Sequence, residues 1–367
     1  MQKKKRIFIT GTMRTGGSLL INLLSAHSKV VIFNEIIHFY RFIYNRYNPL
    51  NLKSLDHLLN DQRIRLKYRM NIVLDVNLLK KQILKKKLNY KNIYIAFLDY
   101  FIKFSKKKIG GEYAALQWRE IPDFLKKFNN GKVIQIYRDP RAVLASWKKL
   151  SSIPNYSYLN AVFNWIDSLN HVEKFKKKFD KTNYMAVKYE NIMGDPSNSI
   201  NEITSYLGIS NEQNLLLPEK WPSSFNKKIV HIPRSAHDGN NILGFSTKRI
   251  SNWKKNLENW EVYFIESICI NLMKKHGYTL TNFDRKKIKK FKQKINSILN
   301  KNNTLNENYK NFFKNNIGTN KYPTDPTDPR NWGSQEDDSK WFVETDLSKK
   351  YYQELALTSK KIDEKYI

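Results

Sequence analysis

The residues best suited to chemistry lie in a glycine-rich stretch near the N-terminus. An apolar run at residues 7–9 predicts a strand, and apolar residues at helical spacing over residues 18–24 predict a helix. Three glycines and Arg14 lie between them and predict a loop. The glycines are Gly11, Gly16 and Gly17. The first turn of a helix has N–H groups without hydrogen-bond partners, which can bind an anion. Glycines allow the backbone of this turn to approach the anion closely, and the Arg14 guanidinium adds several hydrogen-bond donors. The pattern favours a phosphate-binding loop, and a glycine-rich turn without a ligand is the alternative.

The loop differs from the one that binds nucleoside triphosphates. That motif, Gly-x-x-x-x-Gly-Lys-Ser/Thr, needs a lysine directly before the hydroxyl residue. In this chain Gly17 precedes Ser18. The absent lysine argues against a site for a γ-phosphate and Mg²⁺.

Length and composition indicate a folded chain without a membrane span. The chain has 367 residues, of which 41% are hydrophobic and 13% aromatic, so it can form one large domain or two smaller ones. No apolar run approaches the roughly 20 residues of a membrane span, and the first apolar run is interrupted too early for a signal peptide. We therefore expect a cytoplasmic protein. Its single cysteine, Cys269, excludes an intramolecular disulfide and a multi-cysteine metal site, and its amphipathic surroundings predict a core position.

The formal net charge of +32 indicates an anionic ligand or partner. Nucleic acid, an anionic membrane and anionic small molecules all fit this charge. Lysines supply much of it and are spread along the chain, which is typical of a compositional bias rather than of one binding face. The charge favours an anionic ligand without choosing among them.

A second basic group follows another predicted strand. Residues 132–137 predict a buried strand that ends at Arg138, and the next two residues, an aspartate and a proline, suit the start of a helix. Ser146 lies eight residues after Arg138, about two helical turns away. Arg14 and Arg138 both follow strands, which suggests a ligand with two separated phosphate-like groups.

Predicted strands alternate with predicted helices, which indicates an α/β fold with a central parallel β-sheet flanked by helices. The predicted strands lie at residues 7–9, 29–33, 71–76, 114–119, 132–137 and 184–187, and the predicted helices at 18–24, 121–128, 142–147, 156–179, 199–207 and 260–276. We interpret Gly110 and Gly111 as a break between elements. Residues 211–245 hold three prolines and predict a long loop or lid.

The composition changes at Asp284. Residues 285–294 are strongly basic, residues 321–332 are rich in Pro, Asp and Thr, and residues 351–367 predict a final helix. We expect a main domain over residues 1–283 and a C-terminal extension, residues 284–367, of unknown role.

Four blocks of the sequence resemble, in the same order, motifs of the sulfotransferases that use 3′-phosphoadenosine 5′-phosphosulfate (PAPS). Residues 11–20 are similar to the family's 5′-phosphosulfate loop, residues 137–147 to its 3′-phosphate motif, residues 188–208 to a recurring segment, and residues 250–278 to its C-terminal cofactor-closing motif. The resemblance implies a P-loop-like sulfotransferase architecture. It also implies transfer of a sulfuryl group from PAPS to a hydroxyl or amine acceptor by in-line displacement, without a metal.

The resemblance also implies binding roles by position. The assigned residues are, for the 5′-phosphosulfate, Thr12, Arg14, Thr15, Gly16, Gly17 and Ser18; for the 3′-phosphate, Arg138, Ser146, Arg249 and Lys254; and, near the adenine, Tyr189. We interpret Trp147 and Trp253 as core residues.

Sulfuryl transfer needs a base for the acceptor and a cation beside the leaving oxygen, where negative charge develops. Arg14 is the candidate cation. Glu35, directly after a predicted strand, is the candidate base, and His38 is the reserve base.

The chain departs from the family pattern at two places. Gly17 stands where members often have Ser or Thr. Some branches have a lysine or a catalytic histidine where this chain has residues 117–120, so either Arg119 replaces that lysine or the enzyme does without it.

Two other functions are weighed against sulfuryl transfer. A P-loop-type nucleotide kinase or NTPase would need a loop lysine and Mg²⁺ ligands that we do not find in the sequence. A basic nucleic-acid-binding protein would use the charge run that starts at residues 285–287, but such runs are most often solvated surfaces. We expect no specific nucleic-acid partner, and the acceptor is left open among carbohydrate, peptide, lipid and small metabolite.

Overall fold

The computed structural model of the chain describes residues 5–70, 72–150, 156–221 and 244–316, together with Glu354. Its centre is a sheet of five parallel strands. The strands are β1 (Arg6–Gly11), β2 (Val30–Asn34), β3 (Ile109–Tyr113), β4 (Gly131–Tyr137) and β5 (Tyr184–Lys188). They lie in the order β2-β3-β1-β4-β5. The predicted α/β class with a central parallel sheet is confirmed.

Strand β1 lies at the middle of the sheet and is buried along its whole length. Its Ile9 lies opposite Tyr113 of β3 on one side and Ile134 of β4 on the other. After β1 the chain continues towards β2, and after β4 it continues to β5 at the opposite edge. The connections therefore diverge between β1 and β4, and in open α/β sheets ligands bind outside the carboxyl ends of strands at such a point.

Helices flank the sheet. They are α1 (Gly17–Ser25), α2 (Phe39–Phe42), α3 (Leu52–Met70), α4 (Val76–Leu84), α5 (Tyr90–Ser105), α6 (Ile121–Lys127), α7 (Pro140–Leu150), α8 (Ala161–Lys178), α9 (Tyr189–Gly194), α10 (Pro196–Leu207), α11 (Lys248–Ser251), α12 (Trp253–Asn256), α13 (Asn259–Lys275), α14 (Arg285–Asn300) and α15 (Asn303–Asn315). Short 3₁₀ turns lie at Trp118–Glu120, Ser157–Asn160, Gln213–Leu216 and Pro218–Lys220. Within the described ranges, every helix is too short or too polar to cross a bilayer.

The buried apolar side chains form two clusters. One joins the sheet to the helices from α1 to α6, and it includes Phe8 and Phe33. The other joins α7, α8 and α13, includes Cys269, and also takes in Ile295 of α14 and Leu305 of α15. A C-terminal helical extension is therefore present and packs against the main body. The domain boundary at residue 284 stays a prediction.

The strand prediction for residues 114–119 is wrong, and so is the interpretation of Gly110 and Gly111 as a break. Both glycines lie inside β3. A Cβ atom on Gly110 would lie 2.3 Å from the Ile102 side chain, and one on Gly111 would lie 2.5 Å from Ile7. Only glycine leaves room for α5 and β1 to pack this closely against the strand.

The strand prediction for residues 71–76 is also wrong for the residues that the structure describes. Residues 72–75 are not in a strand, and Val76 begins α4. The Asp75 carboxylate accepts a hydrogen bond from the Leu78 N–H (2.9 Å), so it caps the helix. Residues 222–243 of the predicted lid, and the predicted helix 351–367 except Glu354, lie outside the described residues.

Candidate active site

The loop after β1 is fixed by buried contacts within itself. The Thr15 hydroxyl donates to the Thr12 carbonyl (2.6 Å), and both threonines are buried. Gly16 has a φ of 104°, and a Cβ atom there would lie 2.3 Å from the Tyr189 ring. Gly16 is therefore required both by its backbone conformation and by close packing. This arrangement presents the first turn of α1 at the carboxyl edge of the sheet.

The loop after β4 is held by carboxylates. The Asp139 carboxylate accepts from the Arg141 N–H (2.8 Å) and from its guanidinium (2.6 Å), and the Arg141 guanidinium also contacts Glu266 (2.7 Å). The Glu190 carboxylate accepts from the Asp139 N–H (2.9 Å), and burial raises the pKa of Glu190. Residues of the third sequence block therefore position the second basic loop.

The arginines of the two loops meet. The Arg14 Nε donates to the Ser146 Oγ (2.7 Å), and the Arg138 Nη1 donates to the Arg14 carbonyl (3.3 Å). The Arg138 Nη2 donates to the Arg249 carbonyl (2.7 Å), and its guanidinium lies 4.2 Å from the centre of the Tyr189 ring. Residues far apart in the sequence thus form one continuous contact network.

A cavity of about 270 Å³ opens at this network. Its lining consists of Arg14, Gly16, Gly17, Ser18, Leu19, Tyr113, Arg138, Ala142, Ala145, Ser146, Lys149, Tyr189, Arg249, Asn252, Trp253 and Asn256. Three arginines and one lysine belong to this lining, and none of its residues carries a carboxylate. With the N-terminus of α1 at its wall, the cavity is suited to an anionic ligand. Among the described residues, no group of three or more His, Cys, Asp or Glu is arranged to hold a metal ion.

Comparison with protein families decides the class of the protein. The model described as the sulfotransferase family matches residues 6–213, which is more than half of the chain. The chain belongs to the sulfotransferase family. This membership supports sulfotransferase activity and confirms the resemblance that the sequence motifs indicate.

Three solved structures are similar to the chain, and the first of them shows the same fold. The sulfotransferase domain of the Synechococcus PCC 7002 olefin synthase is 19% identical, with a TM-score of 0.52 over 77% of this chain and 98% of that domain. The sulfotransferase domain from the curacin biosynthetic pathway is 17% identical, with a TM-score of 0.49 over 77% of this chain and 100% of that one. A mouse sulfotransferase complexed with PAP is 14% identical, with a TM-score of 0.42 over 74% of this chain and 85% of that one. No curated protein matches the chain.

Most of the binding residues that the sequence suggests for this sulfotransferase lie around the cavity. Those in the lining are Arg14, Gly16, Gly17, Ser18, Arg138, Ser146, Tyr189 and Arg249. Thr12 and Thr15 lie beneath the loop, where they fix its shape. Lys254 is exposed and outside the lining, with its Nζ 5.9 Å from the centre of the Trp253 ring. The lining residues of this segment are instead Asn252, Trp253 and Asn256.

Glu35 and His38 lie at the carboxyl end of β2, outside the cavity lining. The Glu35 side chain is 29% exposed, and its Oε1 lies 3.8 Å from the His38 Nε2. That oxygen also accepts a hydrogen bond from the Ala115 N–H (3.2 Å). Both residues have positive φ angles, 55° and 47°, as does Arg14 with 70°. Left-handed backbone at non-glycine residues is costly and is often found at functional sites, so its recurrence at this edge of the sheet fits an active site there.

A buried carboxyl group that the sequence analysis missed supports this segment. Glu112 of β3 is fully buried and accepts hydrogen bonds from the N–H groups of His38 and Phe39 and from the Tyr94 hydroxyl. Burial raises the pKa of Glu112 to about 7. The sequence analysis missed this residue because the strand predicted at residues 114–119 does not include Glu112, which lies in β3.

Other residues of the lining were also missed. Lys149 lies one helical turn after Ser146 on α7, so helical spacing could have identified it. Trp253, interpreted as core, is largely buried but also lines the cavity, and Trp147 is partly buried against the second cluster. Tyr113 was missed together with β3.

Arg119 does not reach the cavity. Its guanidinium donates to both oxygens of Asp167, over 3.1 Å and 2.9 Å, and Asp167 also accepts from the Trp118 indole (2.7 Å). This pairing fixes α8 against the turn that follows β3. The geometry therefore favours an enzyme that does without the lysine that some branches of the family have at residues 117–120, rather than one in which Arg119 replaces that lysine.

Proposed function

We propose that this sulfotransferase transfers a sulfuryl group from PAPS to a hydroxyl or amine acceptor by in-line displacement. The observation that carries the proposal is the cavity between β1 and β4, with four cationic side chains and no carboxylate in its lining. PAPS combines a 3′-phosphate with a 5′-phosphosulfate, so it needs cationic groups at two places. The two basic loops supply such groups from different strands.

The donor set of the cavity fits this ligand. The first turn of α1 and Arg14 are assigned to the 5′-phosphosulfate, because N–H groups and a guanidinium bind such oxygens through directed hydrogen bonds. Arg138, Ser146 and Arg249 are assigned to the 3′-phosphate. Tyr189 offers an aromatic face for the adenine. Within the described residues, the buried Nε of Arg138 has no hydrogen-bond partner, so the protein does not use all of its donors.

The residues of the chain perform two tasks in the proposed reaction. When bound, PAPS supplies the activated sulfuryl group. Arg14 neutralises the charge that develops on the leaving oxygen, and one such preorganised donor contributes about 10²–10³ in rate. Glu35 accepts the proton of the acceptor, with His38 as the reserve base. The partial exposure of the Glu35 carboxylate leaves it open to an acceptor.

A kinase or NTPase is the first rival. It would bind ATP with Mg²⁺, which prefers carboxylate and phosphate oxygens as ligands. The lining offers no carboxylate, and the loop has Gly17 in place of the lysine that contacts the β- and γ-phosphates.

Calorimetric titration separates the donor hypotheses. We expect 3′-phosphoadenosine 5′-phosphate (PAP) to bind more tightly than ATP·Mg²⁺. Arg138→Ala should abolish PAP binding, and Lys292→Ala, which changes an exposed lysine of α14, is the matched control and should bind normally. Tighter binding of ATP·Mg²⁺ than of PAP would overturn the proposal.

The nucleic-acid rival has a separate test. Binding to nucleic acid through the basic helix α14 should weaken steeply with salt and should persist in Arg138→Ala.

To identify the acceptor, we propose to test carbohydrates, peptides, lipids and small metabolites as acceptors with radiolabelled PAPS. A labelled product that requires Arg138 would identify the acceptor class.

A further inference from the structure

Tyr113 covers the first residue of α1. A Cβ atom on Gly17 would lie 2.2 Å from the Cζ of the Tyr113 ring and 2.5 Å from its hydroxyl oxygen. These distances are far shorter than a van der Waals contact, so a side chain at position 17 and the ring at position 113 exclude each other. Gly17 and Tyr113 are therefore a matched pair that places a phenol hydroxyl against the anion-binding turn.

Tyr113 is the last residue of β3, the strand that lies between the two strands whose following loops carry Glu35 and Arg14. It interacts electrostatically with both Glu35 and Arg14. Burial raises the pKa of Tyr113 well above its usual value, Glu35 raises it further, and Arg14 opposes them. The phenol is therefore neutral at pH 7 and able to donate a hydrogen bond. Tyr113 also lines the cavity.

We propose that Tyr113 is a catalytic residue whose hydroxyl donates a hydrogen bond to an oxygen of the sulfuryl group during transfer. This inference rests on the proposed function, in which the sulfuryl group passes from the side of Arg14 to the side of Glu35. The hydroxyl projects from the end of β3, between the strands that carry these residues. No proton is transferred in this step: the phenol keeps its proton, and the hydrogen bond holds the group in line.

The variant Tyr113→Phe removes only the hydroxyl. We expect kcat to fall about 100-fold, because one aligned donor to the reacting group is lost. PAP has no sulfuryl group, so its dissociation constant should stay within about twofold, whereas that of PAPS should rise several-fold. The thermal midpoint of the free protein should not change. Unchanged kcat, or an equal loss of PAP and PAPS affinity, would overturn the inference.

A second set of variants moves the hydroxyl from position 113 to position 17. Gly17→Ser alone should lower the thermal midpoint, because its side chain meets the ring, and Tyr113→Ala should relieve this effect. The double variant Gly17→Ser, Tyr113→Ala should regain part of the turnover that Tyr113→Ala loses. Its matched control, Gly17→Ala with Tyr113→Ala, has similar packing without a hydroxyl and should regain none. Equal turnover of the two double variants would refute the role of the hydroxyl.

The failure of this inference differs from the failure of the proposed function. If the natural protein does not bind PAP, the proposed function fails, while the stability coupling between positions 17 and 113 is still measurable. If the natural protein binds PAP and transfers sulfuryl groups, and Tyr113→Phe does so equally fast, then only the role of Tyr113 is wrong.

Discussion

The buried carboxyl group of Glu112 predicts a measurable pH dependence of stability. Glu112 is fully buried, and its pKa is raised by burial from 4.5 to about 7. Its carboxyl group accepts hydrogen bonds from the N–H groups of His38 and Phe39, so Glu112 holds the segment that follows the candidate base Glu35. We predict that Glu112→Gln removes this pH dependence, because glutamine is neutral and its amide oxygen can still accept these hydrogen bonds.

The sign and the size follow from proton binding. Between pH 4.5 and about 7 the folded protein holds the Glu112 proton and the unfolded chain has released it. The free energy of unfolding therefore falls as the pH rises through this window. The stabilisation that the Glu112 proton provides is fully present only below pH 4.5. At about 1.4 kcal/mol per pH unit, the loss is about 3 kcal/mol. The variant does not have this loss, so its stability relative to the natural protein should rise by about 3 kcal/mol between pH 4.5 and 8.

Urea unfolding of both proteins at several pH values measures this difference. Other titrating groups contribute equally to the two proteins, so the difference between them isolates Glu112. Glu202→Gln, at an exposed glutamate of α10, is the matched control and should leave the pH dependence unchanged. A difference that stays constant with pH would refute the reasoning. A variant that becomes relatively less stable at high pH would show that Glu112 is ionised in the folded protein.

Three further substitutions test the proposed site. Glu35→Gln should lower kcat at least about 100-fold and leave PAP affinity nearly unchanged, and equal turnover in steady-state assays would remove Glu35 from the mechanism. Arg14→Ala should weaken PAP binding as well as turnover, and an effect on kcat alone would contradict its place in the loop. Arg138→Lys keeps the charge but loses the hydrogen bonds to two backbone carbonyls, so calorimetry should show PAP affinity about 10- to 100-fold lower. Unchanged affinity would mean that charge alone binds the phosphate.

The sequence predicted the strands that carry the site because their signals are local. β1 and β4 are apolar runs, each followed by turn residues and a helix start, so their carboxyl ends could be located. β3 could not be predicted in this way. Its two glycines are explained by the approach of Ile102 from α5 and of Ile7 from β1, and the sequence around the glycines does not show that these two elements pack against them. Long-range packing overrides the usual meaning of a glycine pair.

The convergence of Arg14 and Arg138 was predicted from strand ends alone, since parallel neighbours end at the same edge of a sheet. The face of the late basic segment was not predicted. Two four-residue helices, α11 and α12, meet at Asn252, so no continuous periodicity shows which side chains point inwards. As a result Lys254 was chosen, whereas Asn256 on the same short helix lines the cavity.

The distribution of carboxylates, rather than the net charge, argues most directly for an anion in the cavity. Arg141 and Arg138 belong to the same loop, yet their surroundings differ. Arg141 is buried and paired with the carboxylates of Asp139 and Glu266, over 2.6 Å and 2.7 Å. Arg138 donates instead to two backbone carbonyls and lines a cavity without a carboxylate. The Glu190 carboxylate interacts electrostatically with Arg138 without forming an ion pair with it in the described part of the chain. Burying a guanidinium without a paired anion is costly, and an anionic ligand in the cavity would offset that cost. A net charge of +32 would attract many anions to the surface, but this local imbalance selects a ligand that enters between β1 and β4.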